Sequence, residues 1–409
     1  MATSITAAAH HARHGRRGDL AQALRASRAD TLSTFEAYRR ALPGLTVPVR
    51  PELNPPLWEL GHVGWFQEYW IARNPQRRLG ATADPDAPRA SGVRADADAL
   101  YHSSRVAHDS RWSLPLPGAE ATRADLAAQL DTTLALLAEA GDDGDGDGDE
   151  ALYFFRLALF HEDMHHEAAL YMAQGLGVPI ADTRWQPAPL PAPPAALTFD
   201  GGTWRLGHDG HGFAFDNELG AHDVALAPFT IDAQVLRWTE FLPFVDAGGY
   251  AQPRWWSDAG ARWLRSSGAQ APRFLRRAGR GWHQWRHGRW IDLDPALPAC
   301  HLTLHEAQAW CAWAGRRLPT EAEWECAALE RPESLRWGDV WEWTASAFAP
   351  YPGFAPHPYR DYSAPWFDGR PVLRGASFAT QPRMRHPRYR NYFTAERNDV
   401  FAGLRSCAA

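Results

Sequence analysis

Two histidines four residues apart, His161 and His165, stand in the run H-E-D-M-H-H (161–166). On a helix, side chains at that separation lie one above the other on a single face, so both imidazoles can reach one metal ion. The zinc-protease pattern H-E-x-x-H has the same spacing, and spacing alone does not tell the two apart. A third histidine, His62, lies in the apolar run P-P-L-W-E-L-G-H-V-G-W-F (55–66), where Gly61 and Gly64 permit close approach of a neighbouring segment. Two helices presenting three imidazoles inward is a usual way for a bundle to build a metal site. Two inward histidines in one helix are costly to bury unless bound, which sets the pair apart from an ordinary core histidine. Imidazole suits iron, zinc, copper or nickel, so the ligand types leave the metal open. His166 points about 100° away from His165 and reads as a supporting or surface residue.

The elements that must carry these residues are helical. Residues 19–42, 56–73, 122–140 and 150–175 each place apolar side chains at three- and four-residue steps, which predicts a four-helix bundle. Between the second and third helices, residues 74–117 form a long polar stretch of the kind that is usually functional or disordered. The run G-D-D-G-D-G-D-G-D (141–149) resembles the start of a calcium loop, but its twelfth position would be Phe154 rather than Glu, so it reads as a solvated connection. Residues 186–197 (QPAPLPAPPAAL) predict a stiff linker and a domain boundary. The expected domains are 17–185, carrying the metal ligands, and 198–409. Sixteen of the twenty tryptophans lie at Trp185 or later, so the second domain must be packed largely by aromatic rings. There, helices are expected at 304–314 and 320–329. Thr320 with Glu323 forms a capping box. Trp324, Trp341 and Trp343 are expected in the core or a cleft wall, and residues 215–218 as a loop-holding element. The fold class is α+β, a bundle followed by an irregular domain with much loop.

Bulk properties narrow the function. The net charge of −6 gives no electrostatic case for nucleic acid or an anionic membrane. No apolar run reaches the roughly 20 residues a membrane helix needs. Arg16-Arg17 is followed by no apolar segment of a twin-arginine signal, so a cytoplasmic location is expected. Four scattered cysteines, Cys300, Cys311, Cys326 and Cys407, predict small buried side chains rather than a disulfide framework.

The chain resembles the ergothioneine-biosynthesis sulfoxide synthases and their selenium counterparts, the selenoneine synthases. The resemblance runs from about residue 19 to 406. It rests on residues 55–66 and 161–165, and on F-D-N-E (215–218), A-G-R-R-L-P-T-E-A-E-W-E (314–325) and V-W-E-W-T (340–344). Y-P-G-F (351–354), V-L-R-G-A-S (372–377) and F-A-G-L-R (401–405) complete it. It implies a DinB-like four-helix bundle joined to a C-type-lectin-like domain similar to formylglycine-generating enzymes. It also implies iron(II) bound by His62, His161 and His165, molecular oxygen as co-substrate, and hercynine, a histidine betaine, as the substrate modified at its imidazole C2.

Carried over residue by residue, the resemblance makes Tyr351 the active-site tyrosine. Asn391 and Tyr392 become the pair that holds the betaine's ammonium end, where an aromatic face suits a quaternary ammonium. In relatives that use γ-glutamylcysteine, an Asp follows that pair and grips the donor's amine; here Phe393 stands in its place. A second tyrosine, a proton donor in that subgroup, is replaced by Phe348. The Arg-rich donor-binding stretch is replaced by residues 98–117, where Ser103, Ser104, Arg105, His108 and Arg111 could meet the hydroxyls of a sugar. These departures favour a selenosugar donor and a carbon–selenium bond. The competing expectations are carbon–sulfur bond formation with a thiol donor, an oxidase of protein cysteines, and a non-catalytic DinB-like metal-binding module.

Overall fold

The computed structural model describes residues 7–140 and 148–409, so most of the Asp/Gly-rich run at 141–149 lies outside the described residues. Six helices make up the first half: α1 (Ala7–His14), α2 (Arg17–Ala41), α3 (Pro56–Trp70), α4 (Ala97–Tyr101), α5 (Ala119–Glu139) and α6 (Gly148–Leu176). Helices α2, α3, α5 and α6 pack against one another as the expected four-helix bundle. Pro56 occupies the first turn of α3, where its missing N–H costs nothing and its fixed φ favours the helix. Of the α3 side chains, only Leu57 and Tyr69 escape full burial. The apolar stripe read in the sequence is therefore one part of a helix covered on all sides, as expected of a helix at the centre of a domain.

The long connection between α3 and α5 is ordered. It carries α4 and two short 3₁₀ turns, Arg77–Thr82 and Asp109–Trp112. Asp98 anchors it, accepting from Arg73 at 2.6 and 2.9 Å and from the Trp65 indole at 2.7 Å.

The second half holds α7 (Trp238–Asp246), α8 (Asp258–Ser267), α9 (Leu304–Ala314) and α10 (Glu321–Glu330) among short strands. Thr320 Oγ1 accepts from Glu323 N at 3.1 Å and the Glu323 carboxylate accepts from Thr320 N at 2.7 Å, the capping box expected there. Thr303 and Glu306 build a second such box at the start of α9. The sheet that matters for the site runs in the order Asn391–Tyr392, Pro371–Ala376, Val340–Ala347, Ala402–Gly403, its last pair parallel and the others antiparallel. The central strands do not alternate: 340–344 and 371–376 are buried at every position. A strand covered on both faces loses the period-two signal, which is why these strands are invisible to sequence periodicity.

The two halves share one continuous apolar core. Polar bonds also cross between them. Arg13 on α1 pairs with Glu218 at 2.6 and 2.9 Å, both side chains buried. Asp216 and Asn217 are tied to Ser363. Residues 215–218 therefore hold loops together, as expected. On α6, Asp163 accepts from Arg383 at 2.6 and 2.7 Å, and Glu167 accepts from the Trp341 indole at 2.8 Å, Ser377 at 2.5 Å and Thr380 at 2.8 Å.

Candidate metal centre

Helices α3 and α6 bring the three histidines together. Ring centroids are 4.4 Å apart for His161–His165, 5.1 Å for His62–His161 and 4.9 Å for His62–His165. One nitrogen from each lies within 4.8 Å of the others. The flanking glycines make room for neighbours of α3. A Cβ on Gly61 would stand 2.3 Å from the Tyr101 ring of α4, and one on Gly64 would stand 2.1 Å from Gln129 of α5. The close approach foreseen from sequence is thus to α4 and α5, which press α3 from behind.

Each ring is held differently. His62 Nδ1 lies 2.8 Å from the Tyr101 carbonyl, an acceptor only, so Nδ1 carries the proton and Nε2 keeps its lone pair. The His165 Nδ1 donates to Glu59 Oε2 at 2.5 Å. His161 stacks on Phe66, with centroids 3.5 Å apart and planes 4° from parallel, and neither of its buried ring nitrogens has a hydrogen-bond partner. Burial lowers the His62 pKa to about 3, and the nearby His165 adds to the effect. Burial, then His165 and His62, push His161 well down. Neutral imidazoles are the form that binds metals. A buried imidazole with both nitrogens bare costs on the order of 1–3 kcal/mol, which a metal ion would relieve. The residues present therefore fit a three-nitrogen metal site.

The protease alternative fails on Glu162. In a zinc protease of that pattern this carboxylate acts as general base. Here Arg28 of α2 donates to both its oxygens, at 2.8 and 3.1 Å, and also to Gln67 and the Leu126 carbonyl. Glu162 is buried and locked into the bundle's other seam. His166 is buried rather than on the surface, bonded to Thr34 at 3.0 Å, and its pKa is lowered to about 4 by burial.

A cavity of about 250 Å³ opens beside His165. Asn391, Tyr392 and Phe393 line it, together with Trp341, Tyr362 and Tyr389. Phe348 stands one layer back, stacked on Tyr392 with centroids 4.1 Å apart. Tyr351 does not line this cavity. It starts the tight turn 351–354, in which Gly353 adopts φ 75° and Phe354 N donates to Tyr351 O at 3.1 Å. The turn directs the ring beneath the Arg390 guanidinium, 3.9 Å away, and the hydroxyl donates to Glu321 at 3.1 Å. That phenol supports a buried ion pair. The phenols in the cavity wall are Tyr171, Tyr362, Tyr389 and Tyr392; Tyr362 donates to Tyr389 at 3.1 Å, and Tyr389 donates to Met164 Sδ at 3.3 Å. Sequence reasoning missed Tyr362 and Tyr389.

The segment 98–117 is largely committed to holding itself in place. Ser104 bonds Asp361, His108 lies 2.9 Å from the Leu53 carbonyl, and Arg111 donates to Asn54 Oδ1 at 2.8 Å. The four cysteines are all free and buried, and burial pushes each thiol up to about 12. Such thiols are poor nucleophiles and ligands, which removes the observation a protein-cysteine oxidase would need.

Residues 19–169 match the model of the DinB superfamily, and residues 182–337 match the sulfatase-modifying factor enzyme 1-like domain. The chain is 33% identical over 413 residues to hercynine oxygenase of Mycolicibacterium smegmatis, covering 87% of this chain and 91% of that one. It is likewise 33% identical over 405 residues to hercynine oxygenase of Mycobacterium tuberculosis, with the same coverage. The formylglycine-generating enzyme of Thermomonospora curvata is 31% identical over 202 residues, 41% of this chain and 67% of its own.

Proposed function

We propose, from the premise that the chain belongs to the hercynine oxygenase family, that it is an oxidoreductase that uses iron(II) and molecular oxygen to join a chalcogen to the imidazole C2 of hercynine. The observation that carries this reading is the aromatic cavity opening directly onto His165 of the three-histidine cluster. His62, His161 and His165 would hold the iron, and a bound iron(II) supplies the capacity to activate oxygen.

The chain's own residues bind and orient. Trp341, Tyr389, Tyr392 and Phe393 offer ring faces to a trimethylammonium group, each face worth about 0.5–2 kcal/mol. Asn391 supplies a carbonyl and two N–H donors at the same wall. With the ammonium seated there, the imidazole end of hercynine extends towards His165. The linked hydroxyls of Tyr362 and Tyr389 can hold or pass a proton inside the cavity, a role that the buried Tyr351 hydroxyl, bonded to Glu321, is not placed to take.

The donor reading rests on Phe393. An apolar ring, with the Arg397 guanidinium 5.0 Å from its centroid, offers no counter-charge to a donor's ammonium group. An uncharged selenosugar suits that wall better than an amino-acid thiol. The test is to incubate the purified protein anaerobically with iron(II) and hercynine, add oxygen with either donor, and identify the product by mass. A carbon–selenium product is expected. Turnover with a thiol alone refutes the selenium reading, and no turnover with either refutes the function.

A further inference from the structure

The histidines differ in their support, and the support of His165 is unusual. Glu59 sits on α3, three residues before His62, and is buried. Its two carboxylate oxygens accept from His165 Nδ1 and from Asn54 Nδ2, each at 2.5 Å. Neither partner is a fixed cation. Asn54 Oδ1 in turn accepts from Arg111 at 2.8 Å, so the guanidinium is joined to the carboxylate through an amide. The same guanidinium lies 3.9 Å over the Trp58 ring, and Trp58 stacks on His62 with centroids 4.7 Å apart and planes 9° from parallel. One cation, carried by the connection between α3 and α5, thus touches the supports of two of the three imidazoles.

We infer that Glu59 is a positioning residue for His165, and that Asn54 and Arg111 hold Glu59 to that task. The inference rests on the reading of the three histidines as metal ligands. A carboxylate that accepts from Nδ1–H fixes the tautomer, locks the ring's orientation and raises the basicity of Nε2. Ligand-bearing histidines are commonly supported in this way, and the support matters nearly as much as the ligand. The burial supports the same conclusion. An anion out of water without a contacting cation is costly, and positive charge delivered through the imidazole offsets that cost. Arg111 therefore takes part in the metal's support, rather than in the sugar contacts that its place in residues 98–117 suggested.

The test uses cobalt(II) alone as probe, with affinity measured by competition and the ligand field read from the visible absorption of the full-length protein. Glu59→Gln is expected to bind cobalt about 10- to 100-fold more weakly and to shift the visible bands. Glu59→Asp should recover part of both. Arg111→Met, which leaves the carboxylate in place, should lose several-fold in affinity. A Glu59→Gln protein with the wild-type affinity and spectrum overturns the inference. If that variant does not fold, Arg111→Met decides instead, and unchanged binding there overturns the chain of support. Wild-type protein that takes up no cobalt would overturn the metal reading itself, a separate failure that the wild-type control reveals.

Discussion

Glu167 gives the sharpest test of how the second domain is coupled to the site. Glu167 is 8% exposed, and its carboxylate accepts from Trp341, Ser377 and Thr380 of the second domain. Consider Glu167→Ala. The two hydroxyls can pair with each other, since they already stand 3.3 Å apart. The Trp341 indole N–H has no such freedom and is left bare in a buried setting, at a cost of about 1–3 kcal/mol. Losing the side chain's packing adds a further ~1–2 kcal/mol, giving about 2–5 kcal/mol in all. Glu167→Gln keeps one oxygen for Trp341 and places an NH₂ opposite Thr380, whose hydroxyl can accept. Its expected cost is about 1 kcal/mol. Urea unfolding followed by tryptophan fluorescence and by circular dichroism measures both. Because Trp341 also lines the cavity, Glu167→Ala should raise the KM for hercynine more than it lowers kcat. A Glu167→Ala protein within 1 kcal/mol of wild type, or a Gln variant as damaged as the Ala variant, would refute this account of the carboxylate.

Other perturbations have definite outcomes. His161→Ala should retain the wild-type far-ultraviolet spectrum and lose bound metal in a chelator-based assay; wild-type metal content would discredit the ligand assignment. Phe393→Asp places an acceptor at the cavity wall and should raise the ratio of kcat/KM for an amine-bearing thiol donor over a selenosugar, so an unchanged ratio would detach Phe393 from donor choice. Burial lowers His301 to about 3, with Arg273 adding to the effect, so it stays neutral in the fold while the unfolded chain gains a proton below its ordinary value. Stability is then lost as pH falls from about 6.5 towards 3, by about 2 kcal/mol at pH 5 from this one group. Urea unfolding of His301→Gln at pH 7 and pH 5 should show a smaller acid loss than wild type.

The bundle could be read from sequence because its helices keep apolar residues at helical spacing and because His161 and His165 stand four apart. Its boundaries shifted by only a few residues. The sheet of the second domain could not be read, since its central strands are buried on both sides and show no alternation. Helices α9 and α10 were expected close to where they lie, and α10 carries the Thr320 capping box, a signal that survives burial. At the site, Asn391, Tyr392 and Phe393 all reach the cavity wall. Tyr351 does not, because the turn at Gly353 redirects its ring towards Arg390, and such a redirection depends on a partner distant in the chain. Glu59, Asn54 and Arg111 could not be foreseen for the same reason: their pairing exists only once α3 and the loop after it are folded together.

The crossing pairs between the two halves have a consequence for recombination. The Pro-rich stretch 186–197 invites a crossover, since a break there cuts no helix or long strand. Yet a chimera joined at that point inherits Arg13, Asp163 and Glu167 from one parent, and Glu218, Arg383 and Trp341 from the other. Parents that agree at all three pairs should yield folded hybrids that take the three histidines from one side and the Asn391–Phe393 wall of the cavity from the other. Parents that differ at any of them would bury a charge or an indole N–H without its partner. The second domain can therefore be exchanged as a block between parents that match on both sides of these three contacts.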